Sequence, residues 1–152
     1  MSSYIPLAVF FGLVIAAAST GAIFQPGPWY KNLNKPSWTP PDWLFPVAWT
    51  VLYAMIAIAG WQVWKEEGIG VVTIIWGLGL VLNMAWSWIM FGEKKIGLAL
   101  ADLVLLWLSI VAFMVLAWPL NSTATLLFVP YFFWVSFAGV LNLAVLRLNP
   151  GS

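Results

Sequence analysis

The chain has 152 residues, of which 63% are hydrophobic and 7% charged, and its formal net charge is +1. A soluble domain carries about 25% charged residues, so this chain cannot clothe itself for water and belongs in lipid; so small a charge also leaves no electrostatic footprint for a nucleic-acid partner. Cysteine and histidine are both absent, which excludes disulfides, thiolate chemistry, Cys metal sites, and the commonest general base and metal ligand.

A membrane-spanning helix needs about 20 mostly apolar residues. Segments meeting that requirement lie at 5–24, 43–64, 70–91, 96–118 and 124–147. Their continuous apolar character, without strict alternation, predicts helices and not barrel strands. The length suits a single domain, an all-α bundle of five transmembrane helices. The first segment contains VIAAASTGA, which resembles a signal-peptide cleavage region. The stretch before it, MSSY, has no Lys or Arg, so it is read as a retained helix.

The loop at 25–42 is the only long connection. Its core, WYKNLNKPSWTPP at 29–41, holds two Lys, two Trp, one Tyr and three Pro. Pro36, Pro40 and Pro41 restrict the backbone and disfavour helix in the residue before each. Trp29, Tyr30 and Trp38 add apolar area. Such a loop is expected to fold over the bundle mouth as a lid. The second segment places Trp49 and Tyr53 at i and i+4, on one face, after Pro46. The third carries Gly77 and Gly79, small residues that permit close helix approach without a strict GxxxG and so suggest a dimer face only weakly. Asn83 then shares a face with Trp86 and Ser87.

The fourth segment carries Asp102, about two turns in. A carboxylate deep in a bilayer costs about 2.5–3.5 kcal/mol on insertion scales, so Asp102 must face protein or water. It is either a proton or ligand site or a structural hydrogen-bonding group. In the connection that follows, Ser122 or Thr123 is expected to cap the fifth helix. That helix aligns Trp134, Ala138 and Asn142 at i, i+4 and i+8 and contains Pro130; Pro150 and Gly151 stop it. Trp61, Trp64, Trp88 and Trp118 fall near helix ends, as interfacial tryptophans do. Trp49 and Trp134 lie deeper, where pocket walls and ordinary packing are both open readings.

Five spans put the termini on opposite sides. The side of the first and third loops and the C-terminus carries Lys31, Lys35, Lys94, Lys95 and Arg147; the other carries Lys65. The basic excess predicts a cytoplasmic C-terminus and long loop, with the N-terminus outside. No catalytic constellation, phosphate-binding loop or metal-ligand spacing is present.

The stretches WYKNLNKPSWTPPDWLFPVAWTVLY, LVLNMAWSWIMFGEKK, ALADLVLL and VPYFFWVSFAGVLNLAVLR resemble the TspO/MBR family of tryptophan-rich sensory proteins, the bacterial relatives of the mitochondrial translocator protein or peripheral-type benzodiazepine receptor. The resemblance covers essentially the whole chain. It implies a five-helix bundle in a bacterial envelope membrane, usually a homodimer, with a pocket under the first loop. It also implies ligands such as porphyrins, sterols and benzodiazepine-site drugs. By position, Trp38, Trp49, Asn83, Trp86, Trp134 and Ala138 match family pocket residues; Trp49 and Trp134 match the pair implicated in porphyrin degradation. Tyr30, Tyr53 and Asn142 complete the expected ligand-binding set. One departure is Leu143, which stands where the sterol motif of animal members has Tyr, although Arg147 remains.

Three functions follow in order of fit. The first is a sensor that binds tetrapyrroles, protoporphyrin or haem, and regulates porphyrin-linked or stress responses. Trp and Tyr supply aromatic faces, while Lys31 and Lys35 meet the ligand carboxylates at the rim. The second is light-dependent porphyrin breakdown using Trp49 and Trp134, which requires no acid–base residue. The third is a transporter; repeated halves and paired broken helices are not visible. In each case porphyrin is a ligand, and no cofactor or metal is required.

Overall fold

The computed structural model describes residues 4–24 and 27–150. Gln25 and Pro26 of the first loop, and Gly151 of the expected helix stop, lie outside them. The described chain is all helical: α1 Tyr4–Ile23, α2 Pro28–Lys31, α3 Leu44–Glu67, α4 Val71–Ser87, α5 Ile96–Ala117 and α6 Ser122–Leu148. Five of these stretches are long and apolar enough to cross a membrane, with α4 extended by a π-helical turn over Trp88–Gly92. The fold expected from the sequence is therefore present, an integral membrane bundle. Around it the helices run α1, α3, α6, α5, α4 and back to α1, with α3 also touching α4.

Local chemistry sets the boundaries. Pro46 falls in the first turn of α3, where its missing N–H costs no intrahelical bond. Gly68 ends α3 with φ 68°, a left-handed value that glycine adopts without penalty. The α4 start is held by Glu67, whose carboxylate accepts from the Thr73 amide at 3.1 Å, while the Thr73 hydroxyl donates to the Gly68 carbonyl at 2.8 Å. The α6 cap differs from expectation: Asn121, not Ser122 or Thr123, is the N-cap, and its side chain accepts from the Ala124 amide at 3.3 Å. Asn121 also donates to Gln62 at 3.0 Å, so the cap doubles as a tie to α3, a role a short hydroxyl cannot fill. Pro130 sits inside α6, which continues through it.

Two apolar clusters fill the interior. The larger joins all five spans and includes Phe10, Val14, Ile56, Trp76, Leu106, Phe113, Phe128 and Tyr131. The smaller lies at the other end and joins Ile89, Met90, Ile96, Ala99, Leu141 and Val145. Polar ties cross between helices: Trp76 Nε1 donates to the Ile56 carbonyl at 2.9 Å, Trp107 Nε1 to Ser136 Oγ at 2.9 Å, and Thr125 Oγ1 to the Met114 carbonyl at 2.7 Å.

Gly60 shows how tightly α3 and α4 meet. A Cβ there would stand 2.5 Å from Trp76 Cε2 and 2.9 Å from Phe10 Cδ1. Gly60→Ala is expected to push the Trp76 ring off the Ile56 carbonyl and to cost about 1–3 kcal/mol through overpacking. A thermal melt of the purified variant checks this; an unchanged midpoint shows that the ring yields freely.

Candidate functional site

The first loop, the α4–α5 turn and the C-terminus share one end of the bundle. Gly92 meets Phe24, Tyr30 stands edge-on to Phe91 at 5.5 Å, and Asn34 bonds to Asn149. Trp29, Tyr30 and Leu33 pack against the smaller cluster, so the loop lies on the bundle. Within it α2 is a helical turn not expected from the sequence; Pro28 at its first position supplies the start signal. Trp38 reaches Phe137 of α6, edge to face at 5.8 Å, and keeps 47% of its surface exposed.

A reciprocal asparagine clasp holds the loop down. The Asn34 amide donates to Asn149 Oδ1 at 3.0 Å, and Asn149 Nδ2 donates back to the Asn34 carbonyl at 2.8 Å. Asn34 Nδ2 adds a bond to the Leu148 carbonyl at 3.3 Å. Two isolated asparagines 115 residues apart carry no periodic signal, and the sequence alone gives no reason to pair them.

Beneath the loop, α3 and α6 face each other with aromatic side chains. Trp49 stacks on Tyr53 at 5.4 Å and meets Trp134 edge to face at 6.3 Å and Tyr131 at 6.2 Å. Phe45 and Phe137 flank Trp134 at 5.7 and 5.9 Å. Phe45, Tyr131 and Phe137 lie outside the set expected from the sequence. The helical period points to them, since they stand one turn from Trp49 or Trp134. Ala138, half-buried, borders the same walls.

The polar members make two separate relays. Tyr53 donates to Asn83 Oδ1 at 3.3 Å, and Asn83 Nδ2 donates to the Tyr131 hydroxyl at 3.0 Å. Trp86 Nε1 donates to Asn142 Oδ1 at 3.0 Å, and Asn142 Nδ2 to the Ile96 carbonyl at 3.2 Å. Trp86 also meets Phe91 edge to face at 5.4 Å and packs against both clusters. The expected residues thus divide: Trp49, Tyr53, Trp134 and Ala138 pack on the larger cluster, where Asn83 bonds Tyr131, Tyr30 packs on the smaller one, where Asn142 bonds Ile96, and Trp86 bridges the two. Among the described residues, two buried side-chain atoms have no hydrogen-bond partner, Trp134 Nε1 and Asp102 Oδ2.

The lysines differ. Lys35 is folded back, donating to the Tyr30 carbonyl at 2.9 Å and standing 4.5 Å over the Tyr30 ring, whereas Lys31 is exposed in the last turn of α2. Burial pushes the Tyr30 hydroxyl above the usual phenol value, and the Asp42 carboxylate adds to the rise. The two glycines expected at a dimer face differ. Gly79 is buried, with Ser109 Oγ of α5 2.9 Å from where its Cβ would stand, so it belongs to packing inside one chain. Gly77 has open space around its Cβ position. Two residues apart, they point to different sides of α4.

The sequence pattern of the TspO/MBR family matches residues 6–148. The chain belongs to the TspO/MBR family. It is 45% identical over 148 residues to Protein CrtK of Rhodobacter capsulatus, covering 95% of this chain and 92% of that one. It is 42% identical over 151 residues to the tryptophan-rich protein TspO of Chlorobaculum tepidum, covering 95% and 96%. With the human translocator protein it shares 38% identity over 128 residues, covering 81% and 76%. TspO/MBR membership and the five apolar helices together make this an integral membrane protein.

The clasp predicts a local effect. Asn149→Ala removes both of its bonds with Asn34, each worth about 0.5–1.5 kcal/mol net. Amide exchange at Asn34 and its neighbours should speed up several-fold while the thermal midpoint stays within error. Wild-type exchange at the Asn34 amide in the variant rules the clasp out as the loop's anchor.

Proposed function

We propose that the bundle is a membrane sensor that binds tetrapyrroles between α3 and α6 beneath the first loop. The observation that carries this reading is the Trp134 indole N–H, a buried donor without an acceptor, set in a wall of aromatic rings. Leaving such a donor unmade costs about 1–3 kcal/mol, and a bound acceptor recovers it. The walls suit a flat apolar disc, since Trp49, Tyr53, Phe45 and Phe137 offer faces and edges. Ala138 leaves room beside the α6 backbone. Lys31, exposed at the same end, suits the carboxylates of a porphyrin; Lys35 must leave the Tyr30 carbonyl to join it. The absence of histidine favours free-base porphyrin, or haem held without an imidazole. The lysine and arginine excess at the loop end supports a cytoplasmic position for it, in what we take to be a bacterial envelope membrane.

A second reading, light-dependent breakdown, is favoured by the contact of Trp49 with both Trp134 and Tyr53. Ring centroids 5.4 and 6.3 Å apart would let an electron pass from the protein to an excited ligand. One titration separates the two. Protoporphyrin added in the dark should quench tryptophan fluorescence saturably. Under illumination, a sensor leaves the porphyrin spectrum intact, whereas a degrading protein bleaches it and slows markedly when Trp49 or Trp134 becomes Phe. Absence of saturable quenching overturns the binding reading.

Ala138→Thr tests the location. The added hydroxyl can bond back to the carbonyl one turn earlier, and overpacking costs about 1–3 kcal/mol. If ligand occupies this face, affinity falls roughly ten-fold at about 1.4 kcal/mol with stability little changed. Lower stability at full affinity makes Ala138 a packing residue only. The dimethyl ester of the porphyrin should bind slightly more weakly than the diacid, by about 0–1 kcal/mol per exposed lysine contact, and the difference should fade in salt.

A further inference from the structure

Tyr131 keeps only 2% of its surface exposed, within the larger cluster, yet its hydroxyl is half used. The phenol oxygen accepts from Asn83 Nδ2 at 3.0 Å. Its own proton goes to no described residue, and the Asn83 oxygen already accepts from Tyr53 at 3.3 Å. A hydroxyl donor left unmade so far from water is costly, because nothing in a bilayer interior can replace the missing acceptor.

Beside Tyr131 is a small cavity of about 10 Å³ where α3, α4, α5 and α6 meet. Ile110 and Phe128 give it apolar walls. Trp76 also lines it, but its indole N–H is given to the Ile56 carbonyl at 2.9 Å. The other hydroxyl in the lining is Ser109, which donates to the Leu106 carbonyl at 2.6 Å and accepts from no described residue. Gly79 keeps the space beside it open, since a Cβ there would stand 2.9 Å from Ser109 Oγ. The cavity thus brings together a spare donor on α6 and a spare acceptor on α5. One water needs about 10–15 Å³ and two to four polar partners. An apolar occupant would leave both hydroxyls unmet, a cation finds no carboxylate in the lining, and an organic ligand is too large.

We propose that the junction of α3, α4, α5 and α6 holds one structural water, which accepts from the Tyr131 hydroxyl and donates to Ser109 Oγ. The polar chain then runs from Tyr53 through Asn83, Tyr131 and the water to Ser109 and the Leu106 carbonyl. It brings α5 into a tie that otherwise joins only α3, α4 and α6. With its oxygen held from two sides, Tyr131 keeps its ring against Trp49 and Phe128. The site does not depend on ligand entry between α3 and α6.

A crystal structure of the full chain, at a resolution that shows ordered water, should carry one density peak within hydrogen-bonding distance of both Tyr131 Oη and Ser109 Oγ. No peak, or a peak that misses either hydroxyl, overturns the proposal. A double-mutant cycle gives a second readout. In detergent, Tyr131→Phe and Ser109→Ala should be coupled by about five-fold in the unfolding constant, because the first change removes the bridge on which the second acts. Additive effects overturn the bridge. In a Gly79→Ala background, where a methyl group takes the space, the coupling should vanish; coupling that persists there means the hydroxyls meet directly, and overturns the water. Where a variant does not fold, the wild-type density alone decides.

Discussion

Water is missing from the middle of a bilayer, so each polar atom there must find its partner within the protein. That constraint, more than apolar burial, positions these helices, because lipid tails solvate Leu and Val as well as a neighbouring helix does. Trp76 fixes α4 to α3 through a backbone carbonyl, Trp107 fixes α5 to α6 through Ser136, and Asn83 joins α3, α4 and α6 through two tyrosine hydroxyls. Asn142 ties α6 to α5 and to Trp86 of α4. Against so complete a set, the indole N–H of Trp134 and the carboxylate of Asp102 stand out as groups the fold itself does not use.

The same constraint explains which features were legible from sequence. A span announces itself by length and apolarity, so the five helices were readable with ends displaced by a few residues. Face-sharing residues announce themselves by period, so Trp49 with Tyr53, and Trp134 with Ala138, were readable as stripes. The stripes did not say which neighbouring helix each would meet. Tyr30 packs on the loop-end cluster, Trp49 and Trp134 on the larger one and Trp86 on both, while Phe91 of the π-helical turn at Trp88–Gly92 meets Tyr30 and Trp86 edge to face. Such a turn follows from tertiary packing and carries no local sequence mark. Partners distant in sequence were equally hidden: Asn34 with Asn149, and Asn121 with Gln62. Gly77 and Gly79 looked alike as letters, but a helix separates neighbours two apart by about half a turn, and one of them is spent on Ser109.

The loop and the aromatic walls of α3 and α6 are mechanically joined. Trp38 touches Phe137, which touches Trp134, which touches Trp49. Rings in edge-to-face contact transmit a displacement, since interiors are close-packed and do not deform smoothly. On the proposed reading, a ligand between Trp49 and Trp134 would therefore have to move Phe137 or the loop above it. The loop rests on the C-terminal end of α6 through Asn149, so opening the mouth and spreading α6 from α3 draw on the same few contacts. Pro36, Pro40 and Pro41 stiffen the loop, which lowers the entropy lost in holding it against the bundle.

Charge is divided along the bundle. The loop end carries the cations Lys31 and Lys35, and the buried anion Asp102 lies about 9 Å into α5. Exposed charges are screened within about 10 Å by salt, whereas the enclosed carboxylate is screened much less. On the proposed reading, the lysines would act on the approach and orientation of an anionic ligand, holding its carboxylates outward and its apolar disc inward. The aromatic walls of α3 and α6 thus suit the proposed recognition of a flat ligand by shape and charge, and the contact of Trp49 with Trp134 is the feature on which the second, photochemical reading rests.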